Sequence, residues 1–561
     1  MLKKKKVRIL LVTLAIIFGF VLILNTVLES FLKNYISAEL DVISEQKEFV
    51  YGIGDVDIHI FRGKVSITDF YAKPNEVLFT SFEKGETNKD VLKQLFVSKV
   101  SLSGLGLYDL LIKKELLLDR IEIDELNFNF YRPKKEYQVK AVRKEKERKF
   151  SLDSIRLSGI DKIDLAEMEI ADYGVHVIDA ASKDTISSYK GKDFLINGLE
   201  MDAVEGNQGY FTFDNSKLEL ELKQQQFNLE GGLYAVSFDD LHFKYDENKI
   251  LLINLELKPI VSPEDFSSKF NHVYDINTVV VDTLLISGID ILQLFQSGII
   301  SIQQIDINGL KANMFKDKTK PWNIEKIKNL PQVALENMRQ PLHISTIKIH
   351  NSSFTYSEKL ENTDELVKVN FDNMQSEITY VTSIRDSLDK KKSLEVKLNA
   401  DLLNTLPFSI HLKMPYNTSN HSFHAFGHTE GITDFESLNP TIFPAIGMKF
   451  KNGEFDGIQF NLQGNSTKST GELTMLYKDL EVELFKKDET ENKKMSWAAN
   501  TFVKKSNPNK RGRTIVAEID FERIKYKGLG NYLWKSIQSG IVNSLVPFGK
   551  HKKKENKHQR D

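Results

Sequence analysis

The sequence predicts a mainly β protein of tandem modules, set behind one transmembrane helix and closed by an amphipathic helix. Three observations carry this expectation: an uncharged run from Ile9 to Leu28, an internal echo that returns Ser103 and Gly104 as Ser287 and Gly288, and period-two alternation of apolar and polar residues through most of the body.

The amino-terminal run is dominated by Ile9, Leu10, Leu11, Ile16, Ile17, Phe18, Phe20, Leu22 and Leu24, and it carries no charge. At about 1.5 Å per residue a helix of that length spans a hydrocarbon core of about 30 Å. Lys3, Lys4, Lys5, Lys6 and Arg8 precede it and no comparable basic cluster follows. The lysine-rich end is therefore expected to stay in the cytoplasm, with the bulk of the chain across the membrane. A cleaved signal peptide would have a shorter apolar region, about 7–15 residues, ending in small residues. Residues 1–35 thus read as a basic end and an uncleaved anchor.

The echo aligns residues 97–131 with 281–315 without a gap, an offset of 184; eight of the 35 positions are identical. Ser103 and Gly104 fall on Ser287 and Gly288, and apolar residues exchange at the same phase, as Leu102 with Ile286 and Leu107 with Ile291. A weaker echo relates 163–173 to 342–352 at an offset of 179. These place two modules at about 97–280 and 281–430 within a body at 36–530, followed by a helix and basic tail at 531–561.

Within the body, Leu218, Leu220 and Leu222 interleave with Glu219, Glu221 and Lys223, and Leu394, Val396 and Leu398 alternate with Glu395 and Lys397. This is the pattern of strands with one apolar and one polar face. Ile121 and Ile123 are followed by Leu126, Phe128 and Phe130, a slip of phase across Asp124 and Glu125 that a β-bulge would produce. Helices are expected at 107–117, at 322–330 before Pro331, and at 532–546. The charged stretches 132–149, 486–494 and 504–513 read as solvated tips or insertions. So few helices leave the sheet's apolar face without a second layer. Ten such side chains left in water would forfeit roughly 15–30 kcal/mol, against a net stability of about 5–15 kcal/mol. That face must therefore meet another sheet, curl on itself, or hold something apolar.

The formal net charge of −2 leaves no basic surplus for a phosphate backbone, which argues against nucleic acid as a partner. Without cysteine there are no disulfides, thiolate metal sites or cysteine nucleophiles. His421, His424 and His428 invite a metal reading, yet in an extended strand His424 and His428 stand roughly 13 Å apart, too far for one ion. Gly104 and Gly106 lack the third glycine of a nucleotide loop, and Asp290 replaces the second in the other module. They read as turn glycines. The carboxylates Asp161, Asp164, Glu167, Glu169 and Asp172 have no nucleophile or pocket beside them in the pattern and read as a solvated face. No catalytic residue, metal site or cofactor is assigned, and no enzymatic activity is expected. In the terminal helix, Trp534, Ile537, Ile541 and Leu545 share an apolar face ahead of a lysine-rich tail, suited to an anionic membrane surface or to capping the sheet.

The anchor followed by 49–74 (FVYGIGDVDIHIFRGKVSITDFYAKP), the twice-used module, and the ending at 438–485 and 531–547, with its Leu-Asn-Pro, resemble the AsmA-like family of diderm bacteria over nearly the whole chain. The resemblance implies an inner-membrane, single-pass periplasmic protein whose elongated, curved β-sheet forms a groove. Such a groove shields or transfers phospholipid acyl chains and contributes to envelope lipid homeostasis. Its lining would include Ile121, Ile123, Phe128, Phe130, Leu218, Leu220, Leu222, Leu394, Val396 and Leu398. The implied partners are membrane lipid, the inner membrane and other envelope proteins. The chain is shorter than the large members of that family; about 25 strands at about 4.8 Å make a trough of roughly 120 Å, suited to local lipid handling. A non-enzymatic scaffold or assembly factor for outer-membrane proteins, binding partners by strand addition, is the alternative.

The topology is directly testable. A reporter active only in the periplasm should work when fused after Asp561 and fail when fused before Lys3, and the reverse pattern would overturn the assignment.

Overall fold

A computed structural model describes residues 48–546, apart from 133–160, most of 486–502 and several shorter stretches. The anchor expected at 1–35 and the basic tail at 547–561 lie outside the described residues. Among the described residues no helix is long and apolar enough to cross a membrane. Those residues are mainly β, with 22 strands and a few short helices: α1 (Glu76–Glu83), α2 (Pro263–Ser268), α3 (Ile291–Ser297), α4 (Pro331–Glu336) and α5 (Leu529–Leu545). The chain divides into two units, residues 1–254 and 255–561.

In the first unit, β3 (Lys64–Pro74), β4 (Leu92–Ser103), β5 (Glu115–Arg132), β6 (Lys162–Asp179), β7 (Thr185–Ala203), β9 (Glu219–Asn228) and β10 (Tyr234–Lys244) pair in that order. Two short strands, β1 (Phe49–Gly52) and β2 (Val56–His59), flank β3, and β8 (Phe211–Asp214) flanks β7. Every one of these pairings is antiparallel except β5 with β6, which is parallel. Strand β11 (Lys249–Pro259) contains the division between the units. The second unit repeats the scheme of the first. There β12 (Asp275–Ile289) pairs with β13 (Ile300–Asn308) and β14 (Lys311–Asp317), which both run parallel to β15 (Leu342–Lys359). From β15 the ladder continues antiparallel through β16 (Val367–Thr382), β17 (Ser393–Leu402), β18 (Leu406–Pro415), β19 (Phe423–Thr429), β20 (Met448–Gly464), β21 (Lys468–Leu484) and β22 (Ala517–Glu522).

The internal echo is a structural repeat, faithful to the register. Ile121 lies opposite Leu102 on β4 and Met168 on β6. Its counterpart in the stronger echo, Ile305, lies opposite Ile286 on β12 and Ile347 on β15. Met168 and Ile347 are in turn counterparts in the weaker echo. Between the first two strands of each module the expected helix is present but short: a π-helical turn at Asp109–Lys113 in one and α3 in the other, capped by Asp290, which accepts from the Gln293 amide at 2.8 Å. Gly104 and Gly288 leave β4 and β12 at φ of 73° and 66°. A Cβ at either would strike the side chain at the equivalent position of the next strand, Asp119 or Gln303. Gly104 sits at a bend, as its sequence context suggests, whereas Gly288 lies within β12, near its end.

Three expectations need correction. The slip at Asp124 and Glu125 is not a bulge in β5 alone. The pairs 69/98, 98/125, 99/124 and 124/171 all drop out, while the registers on either side keep one offset. Neighbouring strands therefore skip together, along a seam where Asp69, Asp193 and Gln224 adopt left-handed φ between 47° and 51°. Gly309, Asn351 and Asn373 do the same in the second unit. The second correction concerns 322–330, which is not helical. Leu330 is extended at ψ 152°, and α4 begins at Pro331. Proline disfavours helix in the residue before it and suits the first helical turn, so Pro331 starts a helix rather than ending one. The third concerns the charged stretch 504–513. There Asn507 is buried and ties Met475 O (2.6 Å) to the Ile515 amide (2.7 Å), so the solvated tip is confined to the exposed residues 508–513 and is anchored by Asn507.

Replacing Gly288 by Val forces a β-branched residue into left-handed backbone and places its Cβ 2.6 Å from the Gln303 side chain. A loss of about 1–3 kcal/mol is expected, read as a lowered urea midpoint.

Candidate functional site

Around Arg120 the two faces of the first unit's sheet differ in chemistry. Ser103, Arg120, Glu167, Asn197, Glu219 and Lys244 form one row across six strands, all polar. Arg120 there pairs with Glu167 (2.9 Å), Glu122 (3.2 Å) and Glu169, and Lys244 with Glu219 (3.6 Å). One position away along each strand, hence on the other face, Ile58, Val65, Leu102, Ile121, Met168, Ile196, Leu220 and Phe243 make an apolar row across eight strands. Beyond the seam a second row runs through Tyr51, Ala72, Leu95, Phe128, Val175, Tyr189, Phe227 and Val236. Tyr173, beyond the seam, packs edge-on to Phe194, before it, with ring centroids 6.0 Å apart, so the apolar sets on both sides of the seam share one face.

The side chains of the second row are all half-buried, as are the six central members of the first; Ile58 and Phe243 at its two ends are buried. The enclosed apolar clusters described in this unit are two small ones, around Phe82 and Leu92 and around Ile163 and Met201.

One buried polar group interrupts this face. Gln225 is 1% exposed and lies over Gly191, where any Cβ would collide with its amide. Its Nε2 donates to Lys223 O (2.6 Å), while its Oε1 accepts from the hydroxyls of Tyr173 (2.6 Å) and Tyr189. Phe227 stacks on Tyr189 at 4.3 Å. Burial pushes both tyrosine hydroxyls up, most strongly Tyr173, so they stay protonated donors.

In the second unit the corresponding row is longer and changes character. It runs Ile286, Ile305, Ile347, Ile378, Val396, Leu412, Ala425, Leu462, Gly471, Ile519. From β12 to β17 its members are half-buried; Leu412, Ala425, Leu462 and Ile519 are fully buried. Helix α4 lies against β16 and β18, and α5 covers β21 and β22. Its stripe Tyr532, Ser536, Gly540 and Ser544 faces the sheet, Ser536 hydrogen-bonds Ser469 at 2.7 Å, and a Cβ on Gly540 would come within 2.8 Å of Leu473.

No protein-family model matches this chain, and no curated protein does.

The structure sorts the lining residues expected from sequence into two groups. Ile121, Ile123, Phe128 and Phe130 sit half-buried on β5, with Phe128 and Phe130 stacked at 5.8 Å. Leu220 belongs to the first apolar row, Leu222 pairs with Leu241 on β10, and Leu218 lies just before β9, its carbonyl accepting from the Tyr245 amide. By contrast Leu394 is buried in the closed core and Val396 packs against it, while Leu398 is half-buried opposite Ile410. Ile537, Ile541 and Leu545 also pack against that core, which makes α5 a cap; Trp534 is 49% exposed. The anchor residues lie outside the described residues. His424 accompanies Asn461 at 2.5 Å on β19, His428 follows on the same strand, and His421 precedes it at φ 52°. Sequence reasoning missed Met168, Ile196, Tyr189 and Phe227, although Phe194 and Ile196 carried the period-two signal. Gln225, inside a run of three glutamines, carried none.

Replacing Gln225 by Leu removes the acceptor of two buried hydroxyls. We expect a destabilisation of about 1–3 kcal/mol, measured by chemical denaturation, with Tyr173→Phe/Gln225→Leu losing less than the two single changes summed.

Proposed function

We propose that this protein shields lipid acyl chains on the apolar face of its sheet, as an AsmA-like, membrane-anchored envelope protein contributing to lipid homeostasis. The observation that carries this reading is the row of apolar side chains that stays half-buried across the first unit, while the equivalent row in the second unit is half-buried as far as β17 and enclosed from β18 onward. A face of that width is costly against water, and lipid chains are cover it could bind and release. The polar outer face with its cross-strand ion pairs suits an aqueous compartment, and the basic amino terminus with its uncharged run suits an anchor in the inner membrane. Tyr173, Tyr189 and Gln225 supply a fixed dipole among these apolar rows, where an ester group rather than a methylene would be accommodated. The reading involves no chemical step; the residues bind and exclude water.

Two aspartate substitutions separate an open face from a closed core. Leu220→Asp puts a carboxylate where water reaches it, so the purified protein should remain folded while its co-purified phospholipid falls several-fold. Leu462→Asp buries the charge in the closed core and should cost at least several kcal/mol of stability. Wild-type lipid content together with lost stability in Leu220→Asp would count against the proposal.

A further inference from the structure

At the end of the second unit a mostly apolar cavity of about 200 Å³ opens between the segment preceding α4 and the β22–α5 connection. Its floor is Leu330 and Val333, part of or against the closed core, with Ile327 at the mouth. Its charged and titratable groups are of one kind: Arg523, Lys525 and His421.

Arg523 is the unusual member. It is half-buried, one guanidinium nitrogen donates to Lys328 O, and the group lies 5.7 Å from the Tyr532 ring centre. Its Nε is enclosed and without an acceptor. Among the described residues no carboxylate stands within ion-pair distance of Arg523 or Lys525. The nearby Lys328 is already committed to Asp275 at 2.6 Å, and the carboxylate of Glu336 lies 3.9 Å from His421 Nδ1. Burial lowers the guanidinium's pKa, yet arginine stays charged in proteins, so a partly desolvated cation stands without a carboxylate partner among the described residues.

We propose that this cavity binds a phosphate-class oxyanion, held by the Arg523 fork with Lys525 and His421 at its rim. A guanidinium matches phosphate oxygens in charge and geometry. The volume equals that of about six waters in the liquid, room for a phosphate with a small ester substituent. Ile327, 63% exposed, gives the mouth an apolar surface on which an organic substituent would rest. This site is separate from the acyl-chain face and does not depend on it.

The test uses the full-length protein in a non-ionic detergent, titrated calorimetrically with inorganic phosphate, glycerol 3-phosphate and dihexanoyl phosphatidic acid. At least one should bind, with affinity reduced tenfold or more in Arg523→Met and in Lys525→Gln, and with Arg523→Lys partly restoring it. Lys525 is at the rim, so its variant reports on binding even if Arg523→Met fails to fold. Equal affinity for all three probes supports the site with free phosphate as its ligand. Tighter binding of dihexanoyl phosphatidic acid, lost in Ile327→Ser, supports it with a lipid headgroup. Binding of none of them, or binding unchanged in Lys525→Gln and Arg523→Met alike, overturns the proposal. Leu220→Asp should leave the affinities for inorganic phosphate and glycerol 3-phosphate unaltered, so failure here is distinguishable from failure of the lipid-shielding reading.

Discussion

The constraint on which the fold depends is that strands of up to 19 residues must keep their apolar side chains on one face. Alternation does this automatically only while the sheet remains regular. In the first unit regularity fails along a transverse line where pairs drop out at Asp69, Asp124 and Ala171, with left-handed residues at Asp69, Asp193 and Gln224. From β3 to β6 neighbours skip together and keep one offset, so the phase change in sequence is compensated by the phase change in backbone. Ile123 and Phe128, which simple alternation would put on opposite faces, thus belong to one apolar surface. Asp and Asn serve well at such points because they tolerate left-handed φ better than branched residues do.

Once that surface exists, its fate is decided by what lies above it. The same ladder of apolar residues is half-buried at Ile305 and Ile347 and fully enclosed at Leu462 and Ile519. The change coincides with α5, whose small residues Gly540 and Ser536 let the helix backbone approach the sheet closely. A helix with large side chains at those positions would stand off and leave β21 and β22 exposed. The sealed end thus rests on small residues, and the open part on the lack of any helix long enough to repeat the arrangement among the described residues of the first unit.

The modules are legible in sequence down to the single position. Both echoes reappear as the hydrogen-bonded partners of Ile305, because repeats preserve register and register preserves apolar phase. Closure is not legible. Leu220 and Val396 have nearly identical flanks, Glu219 and Glu221 in one case and Glu395 and Lys397 in the other, yet Val396 packs against a sealed core. What separates them is a closed core completed by residues far along the chain, among them Phe460, Leu473 and Ile519. Gln225 is invisible for a similar reason, since its place depends on the missing side chain of Gly191, on a different strand. Pro331 misleads because proline marks the end of one helix and the start of another with the same letter, and the extended backbone of Leu330 settles which.

The parallel pairing inside each module carries a consequence of its own. A module enters on an antiparallel strand, β4 or β12, and leaves on another, β7 or β16, with the parallel step internal to it. Its first and last strands therefore offer ordinary antiparallel edges, and a copy inserted between them would disturb no existing register. Each copy fills four positions across the sheet, which at about 4.8 Å apiece widens it by roughly 19 Å. The module is in that sense a ruler: its reach grows by copying, in fixed increments, with the apolar face carried along unchanged.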